Sequence, residues 1–391
     1  MRTALILLVF ILQLHGSGVL GTKTYKWLTE VQELMENREY NLALDSLSKL
    51  ETVVKNRPYD MAYVHQTFGY IYLEMEKPGL AIKRFESALE GEQLPRVQVL
   101  NILQNLGALY MQETRYKEAI GALERWLALA EEKKGAIYIT LAIAHAQLEQ
   151  NHKALAAVKA AVSLEKEPKE EWYKLLIALY YKCEDDTGMI AALKTAVELF
   201  GPKKSYLEQL FGLYMKQESY KDALAVQELI YKKGYLESEE EYRRLAMLYA
   251  YNGTPLDAAM IMESGIKSGT VAADEANLKS VYEYFVTARE PLRAIYYLSR
   301  AAELSKDGKL HLQLAQLLFE AEQYLESAKA IATALKKGGL SRPEDALMLQ
   351  GVAYYEAGKT EEAKACFRKL EAFPKKRKSA ESWLTYLNNL G

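Results

Sequence analysis

One small-and-large residue pattern returns ten times along this 391-residue chain, at a nearly constant spacing. Phe68-Gly69-x-x-Tyr72 is followed by Ala81, Phe85 and Ala88. The same order comes back as Leu106-Gly107-x-x-Tyr110 with Ala119, Leu123 and Trp126, and as Gly351, Tyr354, Ala363, Phe367 and Leu370. Leu141-Ala142, Leu245-Ala246 and Leu314-Ala315 head further copies. Looser ones run through Ile177, Phe211 and Tyr282, and Val31 opens the series. Aligned on the residue equivalent to Gly69, the copies fall at 31, 69, 107, 142, 177, 211, 246, 282, 315 and 351. A period of this length means one supersecondary unit per copy, each burying its core face against the next.

Composition selects the unit. Only 9 Pro and 22 Gly occur, while Ala, Leu, Glu, Lys and Tyr abound, and no apolar residues alternate over a strand-length run. Each copy therefore reads as two antiparallel helices joined by a short turn. Gly69, Gly107 and Gly351, with Ala142, Ala246 and Ala315, fall where the first helix crosses close to its partner. A larger side chain there would overpack the contact by about 1–3 kcal/mol. Ala81, Ala119, Ala258 and Ala363 serve the second helix in the same way, and Tyr72, Tyr110, Phe85, Phe367 and Trp126 are expected to fill the space between adjacent units. Turns inside the pairs carry Lys77-Pro78-Gly79, Asn252-Gly253 and Gly358; turns between pairs carry Pro58, Pro95, Pro168, Pro202 and Pro374. The tail Ser379 to Leu390 reads as one more amphipathic helix, with Trp383, Leu384 and Leu387 on the face that closes the array.

From residue 24 to about 373 these residues resemble the tetratricopeptide repeat family. The resemblance implies an all-α, right-handed superhelical solenoid of about ten hairpins plus a C-terminal capping helix. It also implies a protein-binding scaffold with no catalytic residue, cofactor or metal. Met189 and Tyr282 stand where the family has small residues, which puts local helix angles there in question. Chaperone-binding relatives clamp a terminal carboxylate with a Lys/Asn/Arg set. The matching Asn places hold Gln32, Tyr70 and Ala108 here, so that activity is not implied.

The N-terminus is a separate object. Met1-Arg2 is followed by the apolar run Ala4–Leu14 and by small residues at Gly16, Ser17, Gly18 and Gly21. That order reads as a signal peptide over 1–21, with an uncleaved N-terminal anchor as the alternative. The run is too short to cross a bilayer comfortably, and from Thr22 onward no apolar segment is long enough to do so. The expected organisation is a leader at 1–21, repeats at 22–373, and a basic linker with capping helix at 374–391. A leader followed by ten degenerate repeats and a cap is similar to bacterial tetratricopeptide proteins of TonB energy-transduction systems. That similarity implies a periplasmic adaptor with TonB, ExbB or ExbD as partners. An assembly factor for outer-membrane proteins or the cell wall, and a self-associating structural protein, are the other readings. Cys183 and Cys366 lie half the chain apart, too far in an elongated array for a disulfide.

Fifty basic and 52 acidic residues are scattered evenly, leaving no basic face for nucleic acid. His65, His145, His152 and His311 share no metal-ligand spacing, and the first two read as packed core histidines. Glu184-Asp185-Asp186 falls in an intra-pair turn and reads as solvated. Asn252-Gly253-Thr254 fits a glycosylation acceptor but also an ordinary turn. Lys375-Lys376-Arg377-Lys378 reads as a polar linker ahead of a contact for anionic lipid headgroups. What remains is the surface of the first helices. Tyr25, Gln32, Tyr63, Gln66, Tyr70, Glu74, Asn101, Gln104 and Gln112 are expected to line a concave groove for an extended peptide, where tyrosines supply flat contact and amides bond its backbone. Lys174, Tyr181, Lys216, Arg243, Tyr251 and Lys279 continue that face as a more basic stretch suited to an acidic segment.

Overall fold

Wherever the small residue recurs, the chain forms a helix hairpin. The computed structural model describes residues 19–389, so the apolar run Ala4–Leu14 lies outside the described residues. They contain 21 α-helices and no strand. The chain divides into two units, one ending at Gly201 and the other beginning at Pro202.

In the first unit the hairpins are α1 (Thr22–Glu36) with α2 (Tyr40–Val53), α3 (Pro58–Glu74) with α4 (Pro78–Leu89), α5 (Arg96–Gln112) with α6 (Tyr116–Leu129), α7 (Gly135–Gln147) with α8 (Asn151–Leu164), and α9 (Glu170–Lys182) with α10 (Asp186–Phe200). The second unit holds α11 (Lys204–Lys216) with α12 (Tyr220–Lys232), α13 (Glu239–Tyr251) with α14 (Pro255–Ser268), α15 (Glu275–Thr287) with α16 (Pro291–Leu304), α17 (Lys309–Glu320) with α18 (Tyr324–Lys337), and α19 (Pro343–Glu356) with α20 (Thr360–Leu370). A last helix, α21 (Arg377–Asn389), follows.

The small residues do what their size dictates. A Cβ on Gly69 would lie 2.5 Å from the Phe85 ring, one on Gly107 2.7 Å from Leu123, and one on Gly351 2.6 Å from Phe367. Phe85 and Phe367 therefore fill the crossing inside their own hairpins, a correction to their expected place between units. The two registers trade volume in several hairpins, although Val31, Ile177 and Tyr282 share theirs with Leu47, Leu193 and Leu298. Gly69, Gly107 and Gly351 oppose Phe85, Leu123 and Phe367, whereas Ala142, Ala246 and Ala315 share a register with the smaller or slimmer Val158, Met262 and Ile331. In the sixth hairpin the order inverts: Phe211 takes the small place and Gln227 the large one. Gln227 is fully buried, and neither amide atom meets a hydrogen-bonding partner.

Every hairpin turns in the same way. The residue after each first helix's C-cap is left-handed: Arg38, Glu76, Thr114, Glu149, Glu184, Glu218, Gly253, Arg289, Glu322 and Gly358. The next N–H then reaches back to the carbonyl five residues earlier, as in Lys77 to Tyr72 (2.8 Å), Gln150 to His145 (2.9 Å) and Lys359 to Tyr354 (2.8 Å). This closes the orphan carbonyls of the helix end in a Schellman turn. Eight of the ten positions are not glycine, so the turn is imposed by its bonds and packing in spite of a Cβ penalty.

Neighbouring hairpins are tied by recurring polar bridges. The Tyr110 hydroxyl donates to Glu86 at 2.5 Å, and the Tyr297 hydroxyl to Glu263 at 2.8 Å. Burial, and then the carboxylate beside it, raises the pKa of both phenols. Arg84 bridges to Glu51 at 2.5 Å, Arg293 to Glu263 at 2.7 Å. At the N-terminus the buried Asp60 accepts from Thr24 (2.6 Å) and from the Gly21 N–H (3.3 Å), fixing the start of α1 against α3.

The last hairpin is closed by α21. Ala380 and Leu387 are buried against α20, and Trp383 stacks on Phe367. This helix starts at Arg377, two residues before its expected start, so half of the basic segment Lys375–Lys378 is helical. Lys376 pairs with Asp345 at 2.7 Å, a contact that a free linker would not hold.

Candidate protein-binding face

The nominated groove residues divide sharply by burial. Tyr63, Gln66 and Tyr70 are buried at 8%, 1% and 6% exposure, so the structure withdraws them from the proposed surface. The cause is local. Gln66 Nε2 donates to Gln98 Oε1 at 2.5 Å on α5, and Tyr63 packs on Tyr59 with their hydroxyls 3.4 Å apart. Tyr70 lies edge-on to Phe85, 5.1 Å between centroids, with its hydroxyl between the Gln66 and Asn105 side chains. Burial raises both phenol pKa values. α3 has neighbours on both sides, and its inward helical face is used to hold them.

The remaining nominees stay open. Tyr25, Glu74, Asn101, Gln104 and Gln112 are exposed, and Gln32 is half-buried with its amide 3.3 Å from Glu36. Asn101 and Gln104, one helical turn apart on α5, are brought together with Val97, Leu100 and Trp126 around a shallow recess of about 350 Å³. Arg96 builds its rim by holding the Leu129 carbonyl and Glu131 (2.6 Å), which pins the loop between α6 and α7. The recess thus pairs apolar surface with two solvent-facing amides, the combination that suits a peptide backbone flanked by apolar side chains.

Other first helices, and α5 itself, carry exposed apolar residues that sequence reasoning passed over. Val97 is 59% exposed and Ile143 on α7 37%. In the second unit, Met247 is 64% exposed and Val286 44%. Tyr181 and Tyr251, both 69% exposed, stand where expected. Three cations of that stretch have a carboxylate partner on their own helix. Lys174 pairs with Glu170 (3.6 Å), Arg243 with Glu239 (2.6 Å) and Lys279 with Glu283 (3.6 Å).

Other candidates resolve into local structure. His145 is buried with Nδ1 2.8 Å from Gln150, while His65 is half-buried between Arg84 (3.0 Å) and Glu51 (3.6 Å). Asp185 caps α10 by accepting from the Gly188 N–H at 2.8 Å. Asn252 Nδ2, the atom a glycan would take, already donates to the carbonyls of Leu248 (2.8 Å) and Tyr220 (3.4 Å). Cys183 and Cys366 are free thiols. Among the described residues no group of three or more His, Cys, Asp or Glu could hold a metal ion, and no helix is long and apolar enough to cross a membrane.

Comparison with known proteins adds a name to part of the array. Residues 312–376, most of the ninth and tenth hairpins, match the tetratricopeptide repeat family model. A 101-residue stretch is 29% identical to the human intraflagellar transport protein 88 homolog, covering 25% of this chain and 12% of that protein. Similar solved structures include a tetratricopeptide repeat protein from Parabacteroides merdae (15% identity, TM-score 0.36, 67% of this chain and 99% of that one). MamA from Desulfovibrio magneticus is another (20% identity, TM-score 0.37, 48% and 99%). The ninth and tenth hairpins thus carry the tetratricopeptide repeat signature, and the other eight hairpins repeat their left-handed turn in the same register.

Proposed function

We propose that this chain is a protein-binding scaffold that takes an extended segment of a partner protein on the open faces of its first helices. The observation that carries this is the exposed pair Asn101 and Gln104 beside Val97, Leu100 and Trp126. Amide side chains bond a peptide backbone whatever its sequence, and the apolar neighbours select which side chains follow. Ile143 and Tyr181 extend the same character onto α7 and α9.

The finer setting rests on the signal-like N-terminus and on the resemblance it completes. Both support a periplasmic adaptor of the bacterial envelope, with TonB, ExbB or ExbD among the partners. Crosslinking pulldown from envelopes with an Asn101→Ala/Gln104→Ala variant tests the site. Loss of the partners recovered by the parent, with an unchanged circular dichroism melt, is the expected result. Equal recovery rejects this face. Recovery of an unrelated partner set keeps the scaffold and rejects the TonB setting.

A further inference from the structure

The densest run of positive charge in the chain sits where α20 meets α21. Arg368 and Lys369 end α20; Lys375, Lys376, Arg377 and Lys378 follow within ten residues. Arg342 joins them, because it and Lys376 share Asp345, each at 2.7 Å. Arg377 is held only by the Glu371 carbonyl at 3.1 Å. Arg368, Lys369, Lys375 and Lys378 are exposed and make no ion pair with any described residue. Elsewhere several cations pair with a neighbouring carboxylate, as with Lys204, Lys267 and Arg293.

Helix stability accounts for part of this corner and is opposed by the rest. Arg368 and Lys369 favourably face the negative end of α20. Arg377 and Lys378 lie in the first turn of α21, where the helix end is positive, and no acidic residue accompanies them. Arg377 holds the Glu371 carbonyl from there, whereas Lys378 makes no ion pair with any described residue to offset its place at a positive helix end.

We propose that this corner docks onto anionic phospholipid headgroups. The cations stand on a bend and on helix ends instead of within a groove, which suits a surface better than a bound strand. Most of the free ones are lysines, compact hydrated charges that act at a distance, and not the forked guanidinium that grips a single carboxylate. Clusters of four to eight such residues near an anionic leaflet each contribute about fivefold in partitioning.

Vesicle sedimentation of the full chain tests this, using phosphatidylglycerol vesicles against phosphatidylcholine vesicles at about 0.1 M salt. Binding to the anionic vesicles is expected to fall at least tenfold in Lys375→Glu/Lys378→Glu, with binding to neutral vesicles unchanged. Neutral vesicles read any contribution of the apolar run Ala4–Leu14, which neither substitution touches. Equal parental binding to both vesicle types overturns the proposal, as does anionic binding that survives the charge reversal. If the reversal disturbs folding, Lys375→Gln/Lys378→Gln is read in its place and must still lose several-fold. Soluble polyglutamate bound more tightly than the vesicles, and lost in the same variants, reassigns the corner to an acidic polypeptide.

Discussion

The Trp383 indole lies 5.2 Å from the Phe367 ring and within 9° of parallel to it. Phe367 is the residue that fills the crossing over Gly351, so α21 seals the most deeply packed aromatic of the final hairpin. Trp383→Ala is expected to destabilise this end by about 2–3 kcal/mol, less than a fully buried tryptophan because one edge meets solvent. Hydrogen exchange should show lost protection in α19 and α20 while α11 and α12 keep theirs.

The turn residues give a prediction of opposite sign. Glu149 has φ of 57° and Glu322 of 59°, in the region where a Cβ meets the following carbonyl. Relieving that contact gains about 1–2 kcal/mol, of which the extra freedom of an unfolded glycine removes roughly half. Glu149→Gly should therefore stabilise by about 0.5 kcal/mol in urea titration. Gly358→Ala, at an equivalent turn with φ of 71°, should destabilise by about 1 kcal/mol.

Gln227 is a buried amide in a register where other hairpins place Phe, Leu, Met, Ile or Val. With neither amide atom paired to protein, it carries a desolvation penalty that an apolar side chain of similar volume avoids. Gln227→Leu should raise stability by about 1–2 kcal/mol, read as a higher urea midpoint with an unchanged slope.

Two histidines set an acid limit above the carboxylate range. Burial, then the Arg84 charge, lowers the His65 pKa; burial, then Lys337, lowers that of His311. A base whose folded pKa lies below its unfolded value of about 6.5 binds more protons when unfolded. Its contribution is complete above that value and declines as pH falls towards the folded pKa. The melting temperature should fall between pH 7.5 and pH 5, and by less in His65→Gln/His311→Gln. An identical fall in parent and variant counts against both histidines as the cause.

Much of the fold was legible because side-chain volume at a fixed spacing is a one-dimensional signal. Gly69, Gly107 and Gly351 announced close crossings, and the ring or side chain lodged against each confirms why nothing larger fits. The partner of each crossing was less legible: Phe85 and Phe367 were assigned between units and lie within their own. Turn geometry was hidden altogether. Glutamate at Glu76, Glu149, Glu184, Glu218 and Glu322 gives no hint of a left-handed backbone, which the surrounding hydrogen bonds enforce.

The binding face was harder still. Tyr63, Gln66 and Tyr70 share a helical face with nothing in their spacing to say that α5 covers it; only the third dimension supplies Gln98 and Phe85. Asn101 and Gln104, one repeat later at the same register, remain open. Helical periodicity locates a face, but whether the adjacent hairpin leans over it depends on the crossing of two separate pairs.

The inverse sizes of facing residues bear on how such a chain can be rebuilt. A whole hairpin carries both halves of its own size match and needs only its bridges to the neighbours, such as Arg84 to Glu51, rebuilt. A single helix carries one half. Grafting α18 in place of α4 would set Ile331 against Gly69 and leave the ring-shaped space only partly filled; the reverse graft would drive Phe85 into Ala315. Recombination that cuts between hairpins preserves the core, and recombination that cuts at the left-handed turns destroys it.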